Sequence, residues 1–225
     1  MAAGAWEIRE RNKVLVGILH VDTTTIAWSL GLRRLIIPGP EPLCVAGMPY
    51  DMGRNVICQR ALEMGVEWVF HLDSDVVCPP DTILRLMAHG QPIISGVYYR
   101  RSPPHGIPVM LRRLPGGGTQ WLQDLPPRGL IEVDLVGAGC LLIHKSVLQK
   151  LPPIDPAIGK RWFSWRVDRQ GILPPGECLS EDFSFNLHCQ KNGYKIMVDT
   201  SIRCRHIGFC EAGPELGRFV PCETI

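Results

Sequence analysis

The chain has no glycine-rich phosphate cradle. No G-x-G-x-x-G follows its first apolar run and no G-x-x-x-x-G-K-[ST] occurs anywhere, which argues against dinucleotide oxidoreductases and P-loop NTPases. Its nine cysteines include no C-x-x-C pair, so zinc-knuckle spacing is absent as well. Several of them lie inside apolar runs, as small buried hydrophobes in a reducing compartment do. No segment reaches the roughly 18 uninterrupted apolar residues of a membrane helix. The segment from Met1 to Arg11 has no apolar core ahead of Arg9, Arg11 and Lys13, unlike a signal peptide. A cytoplasmic location is the expectation. The net charge of +2 is too small to announce a nucleic-acid or anionic-membrane partner, although Arg100-Arg101, Arg112-Arg113 and Arg161/Arg166/Arg169 form local basic patches. Internal repeats and low-complexity tracts are also missing.

What is present is enough apolar material for one core: 225 residues, 45% hydrophobic. Lys13 to Leu19 reads as a strand that breaks into His20-Val21-Asp22-Thr23, and Ile26, Trp28, Leu30 and Leu32 follow at helix-compatible spacing. A short strand at Leu43 to Ala46 precedes a helix over Met52 to Glu63, closed by Gly65. Next come the apolar run from Trp68, a proline-started helix with Ile83, Leu84 and Met87 on one side, and a strand over Pro92 to Tyr98. This alternation predicts parallel strands with helical crossovers and ligands at the strands' carboxyl ends. Beyond Arg100 the texture is loop-rich, with hairpins expected between proline and glycine clusters. Ile131 to Val136 alternates as one strand with a wet face, and Cys140 to Ile143 is a buried run. Lys145 to Leu151 reads as a short helix stopped by Pro152-Pro153. Ser180 caps a helix that ends at Asn192-Gly193, and Tyr194 to Val198 reads as the last strand.

The organising stretch is Trp68-Val69-Phe70-His71-Leu72-Asp73-Ser74-Asp75, an apolar strand ending in two acids one residue apart. On an extended chain such acids point the same way and can share a hard cation such as Mg²⁺ or Mn²⁺. A strand entering a polar turn explains an isolated acid-x-acid triplet equally well. Glu181 and Asp182 also have two readings: acids in a first helical turn favour its positive end, and a carboxylate entering a cleft there can act as a base. His206, on spacing alone, is a surface or core histidine.

Taken together, these motifs resemble the glycosyltransferases of the GT-A fold, in particular the small family-2-like enzymes. The likeness runs in order through most of the chain: Arg54-Asn55, then Asp73-Ser74-Asp75, then Val136-Gly137-Ala138-Gly139-Cys140 with its following helix, then Glu181-Asp182 with Lys191-Asn192-Gly193, then His206. It implies an α/β fold, a Rossmann-like three-layer α/β/α sandwich with a mostly parallel central sheet. One domain spans 1–225, with a nucleotide-sugar half at 13–100 and an acceptor half at 101–225. By the same resemblance Asp75 and His206 hold Mn²⁺ or Mg²⁺, with Asp73 at the metal or the donor ribose. His20, Val21 and Asp22 face the nucleobase, Arg54 approaches the nucleotide, and Ser74 belongs to the donor site. Gly137 and Gly139 allow close approach to sugar or acceptor. Asp182 is the base of an inverting transfer and Glu181 its neighbour. The donor is a nucleotide-diphosphate sugar, with UDP favoured. His20-Val21 departs from the family's usual nucleobase loop, which leaves the base open.

Trp162, Phe163 and Trp165 are candidates for stacking or for core packing, and Tyr98-Tyr99-Arg100-Arg101 for donor contact. Two other readings stand beside transfer: a nucleotidyltransferase of related fold, and a non-catalytic nucleotide-sugar-binding module. The acceptor is undetermined between glycan, protein and modified nucleic acid.

Overall fold

Every residue of strand β1, Val14–Leu19, is buried, as happens when both faces of a sheet are covered. A computed structural model shows how; it describes residues 13–20, 23–101, 105–167 and 178–208. After β1 come α1 (Ile26–Arg34), β2 (Leu43–Val45), α2 (Tyr50–Met64), β3 (Trp68–Asp73), β4 (Val76–Val77), α3 (Thr82–Ala88) and β5 (Ile93–Val97). The second half adds β6 (Met110–Arg113), β7 (Thr119–Trp121), β8 (Leu130–Val133), β9 (Leu135–Val136), β10 (Cys140–His144) and α4 (Lys145–Lys150). It ends with β11 (Arg166–Val167), β12 (Cys178–Leu179), α5 (Glu181–Lys191), β13 (Ile196–Arg203) and β14 (Arg205–His206).

Seven strands form one sheet in the order β2-β1-β3-β10-β5-β13-β8. Strands β2, β1 and β3 are parallel, as are β5 and β13, and β10 is antiparallel to both β3 and β5. Five strands therefore run one way, with β10 and the edge strand β8 reversed. The molecule is mixed α/β with a large, mostly co-directional central sheet. The period-2 alternation of strand side chains builds its two cores. Leu15, Val69, Leu141 and Ile143 join residues of α2, α4 and α5 on one face. Val16, Phe70, Cys140 and Leu142 join Trp28 of α1 and Ile83 of α3 on the other.

Several expectations needed correction. Ile131 to Val136 is two strands in different sheets, broken at Asp134, whose carboxylate accepts the backbone N–H of Arg113 at 2.8 Å. Strand β13 extends to Arg203 and is not the last, since β14 follows it. On α3, Leu86 is fully buried while Leu84 is 40% exposed. The expected hairpin is present as β6–β7, and Gly65 ends α2 in the left-handed region at φ 72°. Among the described residues no helix is long and apolar enough to cross a membrane.

Candidate active site

Asp73 closes β3 beside β1 and β10, where its N–H donates to Gly139 O at 3.2 Å. Helix α1 secures the same point from the other core. Thr25 caps it by accepting the N–H of Trp28 at 3.1 Å, and the Trp28 indole donates to Asp73 O at 3.0 Å. Extended geometry stops there, because Ser74 and Asp75 form a turn before β4. The two acids consequently find different partners rather than a common direction.

Asp73 Oδ1 accepts Arg54 Nη2 at 2.9 Å, while Arg54 Nε donates to Glu181 Oε1 at 3.0 Å and Nη1 to Ala138 O at 3.4 Å. Arg54 is 4% exposed, which rules out a solvated helix residue. Asn55 faces elsewhere: its side chain bonds Phe163 O at 2.8 Å and accepts the N–H groups of Trp162 and Phe163 at 3.0 and 3.2 Å, pinning that loop.

Asp75 is placed by the antiparallel pairing of β4 with β14, which sets His206 opposite Val76, and Ile207 N donates to Asp75 O at 2.7 Å. Its Oδ1 lies 3.3 Å from His206 Nε2, and its Oδ2 accepts Arg101 Nη1 at 2.6 Å. His206 Nδ1 is 2.6 Å from Tyr99 O. A carbonyl only accepts, so Nδ1 carries the proton and Nε2 faces the carboxylate. Two lone pairs do not face each other at that distance without a proton or metal cation between them. A ligating histidine is oriented by a backbone carbonyl in this way. One carboxylate and one imidazole suit a borderline ion such as Mn²⁺ better than Mg²⁺, which takes oxygen donors. Burial raises the Asp75 carboxyl, but the hydrogen bond and charge of His206, with the Arg101 guanidinium, hold it below its ordinary value.

Helix α5 delivers the remaining acids. Ser180 occupies its cap position, yet its hydroxyl accepts no helix N–H and instead donates to Asp182 Oδ1. Asp182 Oδ1 also accepts Phe183 N at 2.8 Å, and Oδ2 accepts Ala138 N at 3.3 Å. One guanidinium, Arg54, thus interacts with three carboxylates, Asp73, Glu181 and Asp182. Burial first, then the Asp182 charge, pushes Glu181 up to about 7 against the pull of Arg54. Burial raises Asp182 as well, partly offset by its Ser180 hydrogen bond and Arg54.

Gly137 and Gly139 are explained by packing inside the protein. A Cβ at Gly137 would collide with the Tyr98 hydroxyl, and one at Gly139 would come within 3.0 Å of Asp73 Oδ2 and 3.1 Å of the Tyr98 ring. Gly139 N–H donates to the Tyr98 hydroxyl at 3.3 Å. Of the aromatic trio, Trp162 and Phe163 are core and Trp165 is 47% exposed. His20, Arg54, Asp73, Ser74, Asp75, Tyr98, Trp165, Glu181, Asp182 and His206 all line one cavity of about 450 Å³. Val21 and Asp22 lie outside the described residues.

The sequence offered Arg101 for donor contact rather than as the partner of Asp75, and it gave no sign of His71. The latter is fully buried, 3.5 Å from Cys58 Sγ, with burial lowering its pKa and then Arg54 lowering it further. A lone histidine in an apolar strand carries no sequence signal; the Arg101–Asp75 pair depends on the fold of β4 and β5.

No family model matches the chain, and no curated protein matches it. Among solved structures it is similar to the A197 protein from STIV, with 17% identity over 93% of each chain and a TM-score of 0.63. That likeness shows a shared fold. Weaker likenesses are to UDP-glucose pyrophosphorylase complexed with UDP-glucose, at 12% identity, 89% of this chain, 78% of that one and a TM-score of 0.40. A glycosyltransferase involved in glycosylation of the major capsid of PBCV-1 matches at 16% identity, 60% of this chain, 62% of that one and a TM-score of 0.29.

Proposed function

We propose that the chain is a metal-dependent glycosyltransferase of the GT-A fold, moving a sugar from a nucleotide-diphosphate sugar to a hydroxyl acceptor with inversion. The observation that carries this reading is the gathering of Asp73, Asp75, Glu181, Asp182 and His206 in one cavity at the carboxyl end of β3. Asp75 and His206 would hold Mn²⁺ or Mg²⁺. When bound, such an ion supplies Lewis-acid stabilisation of a departing nucleoside diphosphate.

Asp182 takes the acceptor proton. Its raised pKa makes it a stronger base than an ordinary aspartate, and the Ser180, Phe183 and Ala138 donors fix its direction. Glu181 and Asp73 are held by Arg54, so they position the base and the donor edge. His20 and Ser74 border the donor side, with the 13–100 half serving the nucleotide and the 101–225 half the acceptor.

The test begins with thermal stabilisation by UDP, GDP and TDP sugars in Mn²⁺, since specific binding raises the melting temperature. Turnover is then followed by product. Release of nucleoside diphosphate is expected, whereas pyrophosphate release from a nucleoside triphosphate would replace transfer with nucleotidyl transfer. Asp182→Asn should retain donor binding and lose at least about 100-fold in rate, and Asp75→Ala should abolish Mn²⁺-dependent turnover while leaving the fold intact. Normal turnover in Asp182→Asn would remove it as the base. Donor binding without turnover in the wild-type chain would favour a binding module.

A further inference from the structure

Three buried cysteines are unused by the chemistry above. Cys78, Cys140 and Cys204 bring their sulfurs within 4.8 Å of one another in the apolar cluster that also holds Val76, Tyr98 and Ile202. Two of them flank the ladder that positions the candidate metal ligands: Cys78 directly follows β4, and Cys204 directly precedes β14.

The register of that ladder pairs Val77 with Arg205 and Val76 with His206. Continued by one residue, it places Cys78 opposite Cys204. The bond from Ile207 N to Asp75 O marks one hydrogen-bonded position, and strict alternation makes the Cys78/Cys204 pair a non-hydrogen-bonded one. Cα atoms at such positions lie about 4.5 Å apart, inside the roughly 4.4 to 6.8 Å range of disulfides. The two sulfurs are already in contact at 3.5 Å, so a bond of about 2.05 Å needs only a small side-chain adjustment.

A soft metal ion is the competing occupant. The group contains no fourth donor among the described residues, and a divalent ion with three thiolates would bury a net negative charge in an apolar cluster, at a substantial desolvation cost. A disulfide is neutral and introduces no such charge.

We propose that Cys78 and Cys204 are a disulfide-forming pair whose oxidation staples β4 to β14 and thereby fixes Asp75 against His206. The oxidant is a low-molecular-weight disulfide acting while the chain folds, so in the reducing compartment expected from the sequence the pair stays as thiols until such a disulfide is supplied. The thiolate of one cysteine attacks it, forming a mixed disulfide and releasing one small thiolate. The second cysteine's thiolate attacks the protein sulfur of that mixed disulfide and releases the other. The two protons lost by the cysteines end on the two small thiols, and the electron pair of the new S–S bond is balanced by reduction of the oxidant. Cys140, on β10, remains a thiol. The inference is independent of the transfer reaction.

The full chain is refolded with oxidised glutathione or with dithiothreitol, alkylated, digested and mapped by mass spectrometry. A Cys78–Cys204 linked peptide is expected, together with a melting temperature roughly 10 °C above that of the reduced protein, because the bond closes a long loop. Cys140→Ser should keep both results, and Cys204→Ser should lose both. Mapping the wild-type chain needs no variant to fold. Recovery of Cys78 and Cys204 as separately alkylated peptides would overturn the proposal. So would a predominant bond to Cys140, or one equivalent of metal lost in Cys140→Ser.

Discussion

Arg54 and Arg101 each hold one acid of the Asp73-Ser74-Asp75 triplet, and they do so under different conditions. Arg54 is 4% exposed, reaches Asp73 from α2 and is shared with Glu181 across the sheet's carboxyl edge. Arg101 reaches Asp75 from the loop beyond β5, and its side chain is 55% exposed. The first pair lies where breaking it strands buried charge; the second lies where water and salt weaken it. The difference divides the site into a framework and a docking point. Arg54 is the buried partner of Asp73 and Glu181, whereas Arg101 is a solvent-side cation on Asp75. His206 belongs to the Asp75 side, oriented by Tyr99 O and aimed at Asp75.

The largest effect tests the framework. Arg54→Met should cost about 3 to 5 kcal/mol, because Asp73 and Glu181 would lose their buried partner. Against a usual total of roughly 5 to 15 kcal/mol, that is a large share of the stability. Urea denaturation followed by circular dichroism measures this. A loss below about 1 kcal/mol would mean that the carboxylates are solvated and the framework reading is wrong. Arg54→Met/Glu181→Gln should recover part of the loss by removing one stranded charge.

This division was only partly legible in the sequence. The apolar run from Trp68 announced β3, and local spacing placed α2 and α5 within a few residues, because those signals are carried by neighbours along the chain. The ordered motifs also named the acids that now share a cavity. Partner choice was invisible. Arg54 and Glu181 are 127 positions apart, and nothing local distinguishes that arginine from Arg60, which pairs with Glu63 on the solvent face of the same helix. The split between β8 and β9 was hidden for a related reason, since alternation continues through Asp134 while its partners Leu111, Arg113 and Gln190 are distant in sequence. A Cβ at Gly137 or Gly139 would meet Tyr98 or Asp73, contacts between distant residues that the sequence does not show.

An intermediate effect concerns the charge excess around Arg54. Glu181 is raised from 4.5 to about 7, so the folded protein binds its proton more tightly than the unfolded chain does. Between those values the native state holds more protons, and stability must fall as pH rises. The loss is complete above about 7. Glu181→Gln removes this dependence: the variant should gain on the wild type by on the order of 1 to 3 kcal/mol between pH 5 and pH 8. Chemical denaturation at those two pH values gives the difference directly. An unchanged difference between variant and wild type would show that Arg54 fully neutralises Glu181, leaving Asp182 to carry any excess.

Arg101→Ala completes the comparison with the smallest effect on stability. An exposed ion pair contributes about 0 to 1 kcal/mol, so the variant should melt within a few degrees of the wild type. Its informative readout is Mn²⁺ affinity, measured by calorimetry in low salt. Arg101 opposes a cation at Asp75 both by charge and by occupying Oδ2, so its removal should tighten Mn²⁺ binding by a few fold, with the gain shrinking as salt is raised. Weaker binding would reverse the assignment: Arg101 would then be holding Asp75 in its ligating geometry, a framework residue despite its exposure.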